Sequence, residues 1–464
     1  MSKSIGIVVC NFNKQDYVVK CLQSLFESTM PTSEFDVYVV DNASTDDSVK
    51  MIKEQFDGKV TLIVNSENLG GSGGFNTGLS EALKGDYRYL MCVDNDIVFD
   101  REAIEKLYDF LEYNPDVAVA GSKAYFMDEP EKIWNYGGRI DFHDYIQKDC
   151  YKNVIETGDL PEVVYCDYVP ACSLMARTEA VRKVGIMPED NFIYWDDMEW
   201  GYRFHLAGYK VASYGLSKVW HKAGGRNAGN TFIHYYMWRN RIHFFMDILP
   251  EIAPDESGNT FCQSVISEYN GGACRSDFAV SVLSEMFRMI YSVNLKGEKN
   301  IVRTLMYAFD DAVHGVRGKA RDGMILDRPA VPNRLKEAIA GKDNVLISFN
   351  GYMEGLGNII KNIRSFSGDM QIAVATQDAG AAVSIRNQYP DIRVEEEYAP
   401  EKYTAHLVMC DHIFKLTTDM PKDHYIDPWC NLIYSAEDFI YASSFEQTKE
   451  LFVLCKKELL SRMS

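Results

Sequence analysis

Four short apolar runs, Ile5–Cys10, Phe35–Val40, Val60–Val64 and one from Tyr89 that ends abruptly in Asp94-Asn95-Asp96, open this chain, with helical patterns between them. The runs are β-branched and too short for helices, which predicts buried strands. After the first come Tyr17, Val18, Cys21, Leu22, Leu25 and Phe26, spaced as one face of a helix. Val49, Ile52 and Phe56 repeat the pattern after the second run, and Leu79, Ala82 and Leu83 after the third. Repeated strand–loop–helix units predict an α/β sheet of parallel strands joined by right-handed crossovers. Such a sheet binds its ligands outside the carboxyl ends of the strands.

The loops at those ends carry the chemistry. Tyr89–Val98 is an apolar run broken by Asp94-Asn95-Asp96. Carboxylates at i and i+2 can share a hard cation, and Mg²⁺ typically takes one or two carboxylates together with substrate phosphates. Asp-x-Asp is also ordinary turn chemistry. Ser44 or Thr45 is placed to cap the second helix. Gly70-Gly71-Ser72-Gly73-Gly74 precedes the third helix, where backbone N–H groups can face an anion. It lacks the Gly-Lys-Ser/Thr of a P-loop, and a flexible turn is the alternative reading.

Farther on, Glu102–Leu111 reads as a helix, Val117–Ala120 as a strand, and 122–165 as irregular with a hairpin near Gly137-Gly138. Asp167–Ala176 reads as a buried strand and Thr178–Val184 as a short helix ended by Gly185. A second acidic cluster follows, in which Tyr194, Trp195 and Trp200 surround Asp196, Asp197 and Glu199. Carboxylates among aromatic rings are partly desolvated, which favours the protonated form and makes a better general base. Acids also gather at helix N-termini for dipole reasons, but that does not account for the aromatics. Val211–Tyr214 reads as a further strand, and His221 follows Val219-Trp220. An imidazole there is a plausible third ligand for a Mn²⁺-type site.

At 464 residues the chain predicts two or three domains. Its net charge of −19 argues against nucleic acid as a partner. A nucleotide remains compatible, because a bound metal supplies positive charge locally. The 11 cysteines are scattered without a zinc-type spacing, and Cys10, Cys92, Cys172 and Cys410 lie in apolar runs, as reduced core cysteines do. Met1–Cys10 has no leader pattern, and no window reaches the roughly 18 apolar residues of a membrane span. A cytoplasmic protein is expected, with a place at the inner face of the membrane as the further option.

Taken in order, Val9-Cys-Asn-Phe-Asn13, Val40-Asp-Asn-Ala-Ser-Thr-Asp46, Asn68-Leu-Gly70, Val93-Asp-Asn-Asp96, Tyr194-Trp-Asp-Asp197 and Trp220-His221 resemble the family 2 glycosyltransferases of GT-A fold. The resemblance covers roughly residues 4–245. Within the family it looks closest to bacterial galactofuranosyltransferases, with polysaccharide rhamnosyltransferases next, including over Tyr235-Tyr-Met-Trp-Arg-Asn-Arg241.

It implies an inverting, metal-dependent transfer from a UDP- or dTDP-linked sugar to a glycan or lipid-linked glycan. Asp41 would bind the nucleobase and Phe12 would stack on it, with Asn68, Gly70, Asp94 and Asn95 completing the nucleotide-sugar site. Asp94, Asp96 and His221 would hold Mn²⁺ or Mg²⁺, and Asp197 would be the base. Trp195, Asp196 and Glu199 would orient acceptor or sugar. Two rival readings are a nucleotidyltransferase that makes the sugar nucleotide and a non-catalytic glycan-binding module.

Thr231–Leu249 reads as a helix whose arginines and aromatics suit either core packing or a peripheral membrane contact. Residues 262–325 are helical in pattern, and His314–Arg321 is a basic stretch near phosphate or a solvated turn. A proline-bearing linker at Arg328–Val331 precedes a second β/α series. Its strands are Asn344–Phe349, Gln371–Thr376, one around Val394, and Leu407–Cys410. Its helices are Leu356–Ile363, Ala379–Gln388 and Phe445–Leu460. The Gly-rich stretch 350–357 follows the first of these strands. The expected organisation is a GT-A domain over 1–245, a helical region over 246–330 and a small α/β domain over 340–464. That last domain could bind acceptor or make a homo-oligomer contact.

Overall fold

The computed structural model describes residues 3–222, 229–250, 273–328, 333–349, 354–410 and 424–433, together with Asp438, Lys457, Leu460 and Ser461. The expected helix over Phe445–Leu460 (apart from Lys457 and Leu460), the linker prolines and the first residues of the 350–357 stretch lie outside the described residues.

The first sheet begins as the periodicity requires. In chain order come β1 (Ile5–Asn11), α1 (Gln15–Phe26), β2 (Phe35–Asp41), α2 (Ser48–Phe56), β3 (Thr61–Val64), α3 (Gly70–Ala82) and β4 (Tyr89–Asp94). β3, β2, β1 and β4 lie side by side and parallel. Val8 and Val9 are both fully buried, because helices cover both faces.

The sheet then becomes mixed. β5 (Ile97–Phe99), α4 (Ala103–Tyr113), β6 (Val117–Phe126) and β7 (Ile133–Asn135) are followed by the hairpin β8 (Gly138–Asp141) and β9 (Ile146–Asp149). Next come β10 (Val163–Cys166), β11 (Ser173–Arg177), α5 (Thr178–Val184), α6 (Asp196–Leu206) and β12 (Lys210–His221). The strand order is β10-β12-β6-β11-β4-β1-β2-β3, with β11 inserted antiparallel between β4 and β6. β5 pairs antiparallel with the end of β12.

Several local expectations change, each through pairing between distant segments. β6 runs on to Phe126 because β12 pairs along it, so 122–126 is regular strand. Val211–Tyr214 and Val219–His221 form one strand, bulged between Tyr214 and Lys218. Of the stretch 167–176 only the part from Ser173 onward joins the sheet. Gly137-Gly138 opens the hairpin, whose reversal lies at 142–145 with Tyr145 at φ +55°. Neither Ser44 nor Thr45 caps α2: the Asp46 carboxylate accepts from the Ser48 N–H at 3.1 Å. Ser44 Oγ instead accepts from the Asn13 N–H at 3.0 Å.

The glycine stretch 70–74 is the first turn and a half of α3 rather than a loop before it. Small residues let this helix lie close on the sheet. A Cβ on Gly74 would come within 2.5 Å of Cys10 Sγ, and one on Gly78 within 2.3 Å of a Val8 methyl.

α7 (Phe232–Ile248) packs against α8 (Arg275–Leu295) and α9 (Lys299–Val313). Its Arg239 is fully buried and Arg241 nearly so, so the arginines of this helix are core residues, in line with the core-packing reading. No described helix is long and apolar enough to cross a membrane. In the basic stretch, Arg317 pairs with Asp247, Arg321 with Asp311, and His314 with Asp310.

After α10 (Arg334–Ile339) the second sheet forms. Its elements are β13 (Asn344–Phe349), α11 (Leu356–Phe366), β14 (Gln371–Thr376), α12 (Ala379–Gln388), β15 (Arg393–Glu395), β16 (Ala405–Met409), β17 (His424–Ile426) and β18 (Leu432–Ile433). Their order is β15-β14-β13-β16-β17-β18, parallel except for β18.

Gly78→Ala forces a methyl against Val8 and Val40, and should cost about 1–3 kcal/mol of stability, the usual range for overpacking. Urea unfolding of the two proteins side by side measures it.

Candidate active site

A cavity of about 550 Å³ opens at the C-terminal ends of β1 and β4. Asp94, Asn95, Asp96 and His221 line one side, Phe12 and Lys14 another, and Asn68, Gly70 and Gly71 a third. The acidic turn and the histidine are 125 residues apart in sequence, and the sheet joins them. β5 starts directly after Asp96, and its Ile97 pairs with His221 on β12. The Lys222 N–H then donates to the Asp96 carbonyl at 3.0 Å. In consequence His221 Nε2 lies 3.1 Å from Asp96 Oδ1 and 3.8 Å from Asp94 Oδ2.

Asp96 is almost fully buried, which by itself opposes ionisation. His221 and Lys14 outweigh that burial and hold its pKa down at about 2. Lys14 Nζ contacts Asp96 Oδ2, so the carboxylate has a cation on each side. One donor atom each from Asp94, Asp96 and His221 falls within 4.8 Å of the others, a set of two oxygens and one nitrogen that fits Mn²⁺ or Mg²⁺. The buried Nδ1 of His221 has no hydrogen-bond partner among the described residues. A second acidic group has Asp141 half-buried and His143 and Asp144 exposed, and Lys148 already pairs with both of its carboxylates.

Behind the lining, amide side chains set the loops. Asp41 is fully buried: Oδ2 accepts from Asn11 Nδ2 at 2.8 Å, and Oδ1 accepts from the Ser44 N–H at 2.9 Å. Asn11 in turn accepts from Asn95 Nδ2 at 2.6 Å. Asp41 is therefore not on the cavity wall, as its expected contact with a base requires, but one layer behind it, holding the loop that carries Asn95. Asn42 donates to Asn68 Oδ1 and to the Gly70 carbonyl, and so shapes the third wall. Gly70 has φ +79°, and any Cβ there would meet the Phe192 carbonyl oxygen at 2.0 Å.

The second acidic cluster forms the first turn of α6, beside this cavity without lining it. Burial, then the Asp196 carboxylate beside it, push the Asp197 pKa well above the usual carboxylate range, against backbone N–H groups of Met198 and Ala171 that favour the anion. Burial likewise raises Asp196, to about 6. The field of Asp94 adds to both, which places the two acidic clusters near one another. Trp195 is fully buried against Phe244 and Phe245, which takes it out of reach of a substrate. Glu199 accepts from Asn191 Nδ2 and pairs with Arg203, so its carboxylate is engaged in fixing the loop before α6.

That loop is strained. Phe192, Tyr194 and Trp195 have φ of +64°, +61° and +65°, a region that costs roughly 1–2 kcal/mol per non-glycine residue. α7 supplies the compensation. Asn240 Nδ2 lies 2.8, 2.9 and 3.0 Å from the carbonyls of Asn191, Ile193 and Tyr194, and Arg239 Nη2 donates to that of Asn191. Arg239 Nε holds Asn240 through Oδ1 at 3.0 Å. Sequence reasoning missed Asn240 and Lys14: one sits on a core helix far along the chain, and the other in a short loop with no motif of its own.

Residues 6–161 match the family model described as glycosyl transferase family 2. A poly(ribitol-phosphate) beta-glucosyltransferase of Bacillus spizizenii is 28% identical over 28% of this chain and 25% of its own length. The galactofuranosyltransferase GlfT2 of Mycobacterium tuberculosis is 24% identical over 39% of this chain and 31% of its own. The chain thus spans a third or less of these relatives. The solved structure of S. aureus TarS 1-349 in complex with UDP-GlcNAc aligns at 15% identity and a TM-score of 0.41, over 68% of this chain and 81% of that one.

Asn240→Ala removes the side-chain donor to the Ile193 and Tyr194 carbonyls of a strained loop and should cost about 1–3 kcal/mol in thermal or urea unfolding. For Asp197 the folded pKa exceeds the unfolded one, so the folded state binds the extra proton, and stability is lost as pH rises from about 4 through the raised value. Asp197→Asn, which mimics the protonated form, should therefore raise Tm at pH 7–8, and the gain should vanish near pH 4. Residues 6–161 of this chain thus match the glycosyl transferase family 2 model, and they belong to the mixed α/β sheet whose carboxyl edge carries the loops of this cavity.

Proposed function

We propose that this chain transfers a sugar from a nucleotide-diphosphate donor to a hydroxyl of a cell-surface polysaccharide or glycolipid, with inversion at the anomeric carbon. In this reading residues 1–245 are the catalytic domain, 246–330 a helical support and 340–464 a separate α/β domain. The observation that carries it is the convergence of Asp94, Asp96 and His221 on one wall of a cavity whose other walls hold Phe12, Asn68 and Gly70. Galactofuranose is the favoured sugar and rhamnose the next, from the order and spacing of the motifs. The likeness to a named galactofuranosyltransferase supports the first of these.

Asp94, Asp96 and His221 would hold Mn²⁺ or Mg²⁺, which when bound neutralises charge on a diphosphate leaving group. The remaining work falls to the chain. Phe12 offers a ring face to the nucleobase, and the Asn68–Gly71 wall follows the nucleoside. Lys14, already on Asp96, is a cation within reach of the phosphates. Asp197 takes the proton of the acceptor hydroxyl as that oxygen attacks, and the elevated pKa of this carboxyl suits it to the task. Displacement by one attacking oxygen, with one base and no carboxylate nucleophile, gives inversion.

A panel of nucleotide sugars, screened for Mn²⁺-dependent rise in melting temperature and then for transfer, tests this, because a ligand bound only by the folded state raises Tm by mass action. Asp96→Ala should lose both the metal-dependent shift and transfer. Asp197→Asn should keep the shift and lose transfer by about 10²–10⁴-fold, the usual contribution of a general base. Undiminished transfer by Asp197→Asn would remove the base assignment.

A further inference from the structure

The second sheet has its own ligand edge. β13 is its first strand; the chain moves to β14 and β15 on one side, then crosses back to β16 and β17 on the other. The order 3-2-1-4-5, with an antiparallel strand added, places a topological switch point between β13 and β16. Ligands of open α/β sheets bind outside the carboxyl ends of the strands at such a point. A cavity of about 490 Å³ lies there, within the range of small-molecule sites. Its walls come from the ends of β13, β14, β16 and β17 and from the residues after β15.

The lining indicates what it would hold. Ser348, Thr376, Gln377, Glu396, Tyr398 and Tyr425 supply hydroxyl, amide and carboxylate groups, and Phe349, Val408 and Met409 supply apolar surface. Ser348 and Thr376 are nearly fully buried, so their hydroxyls are set by the sheet. Ser348 Oγ lies 2.9 Å from His406 Nε2. No Lys or Arg is among the described lining residues, and Arg386 meets Glu396 on an exposed ion pair. A phosphate needs cationic or clustered N–H donors. Hydroxyls that both donate and accept, one carboxylate and tyrosine ring faces instead match a neutral, hydroxyl-bearing ring.

We propose that this switch-point cavity is a second binding site, for a phosphate-free sugar ring: a unit of a glycan or the ribose of a nucleoside. It stands apart from the transfer reading, since none of its residues belongs to the first cavity.

Saturation-transfer NMR on the full chain tests it, with methyl galactofuranoside, methyl rhamnoside, methyl glucoside, uridine and adenosine as probes. At least one probe should bind. Its affinity should fall about tenfold in Tyr398→Ala or Glu396→Gln, roughly the loss of one hydrogen bond to a charged or well-placed group. It should be unchanged in Asp96→Ala, which alters the first cavity alone. Glycosides in the bound set point to a glycan as the source, and nucleosides alone to ribose. The proposal is overturned if no probe binds, if Tyr398→Ala and Glu396→Gln leave binding intact, if Asp96→Ala abolishes it, or if uridine monophosphate binds this cavity far more tightly than uridine.

Discussion

The antiparallel pairing of Ile97 with His221 is the contact on which the first site depends. Asp94 and Asp96 sit at a strand end where two carboxylates would repel each other, and Asp96 is nearly sealed from water. Burying an unpaired charge is costly, whereas a buried charge with partners is tolerable. β12 reaches the turn only because it pairs with β6 over most of its length and bulges before its last residues. The long strand thus delivers an imidazole to one carboxylate oxygen while α1's preceding loop delivers Lys14 to the other.

A second constraint works from outside the family-matched residues 6–161. The loop before Asp196 and Asp197 adopts left-handed backbone at Phe192, Tyr194 and Trp195, and nothing local in those bulky residues favours it. Asn240 and Arg239 hold it through carbonyl contacts from a helix buried on nearly all sides. In a low-dielectric interior such bonds are strong when fully made and expensive when broken. The polar residues of α7 therefore fix the backbone of the loop that leads into the two acids.

The two sheets follow one rule with different contents. Each places its cavity at the carboxyl ends of parallel strands, yet the first edge carries a carboxylate–imidazole cluster with a lysine on it, and the second carries hydroxyls, one carboxylate and tyrosines. Architecture locates a ligand edge, and side chains decide what the edge can hold.

Local pattern was enough for much of this protein. Thr178–Val184, Asn344–Phe349, Gln371–Thr376 and Ala379–Gln388 were legible to the residue, because hydrophobic spacing and flanking Gly, Asp or polar residues act within a few positions. The Asp94-Asn95-Asp96 turn and the desolvated Asp196-Asp197 pair were legible for the same reason: a strand end and an aromatic cluster are adjacent in sequence. Only the tertiary structure decided the insertion of β11 between β4 and β6, the joining of two apolar runs into β12, the retreat of Asp41 behind the cavity wall and the burial of Trp195. It also decided the roles of Lys14 and Asn240. Each of these depends on a partner tens to hundreds of residues away, and hydrogen bonding across a sheet or through a buried amide leaves no period in the sequence that carries it.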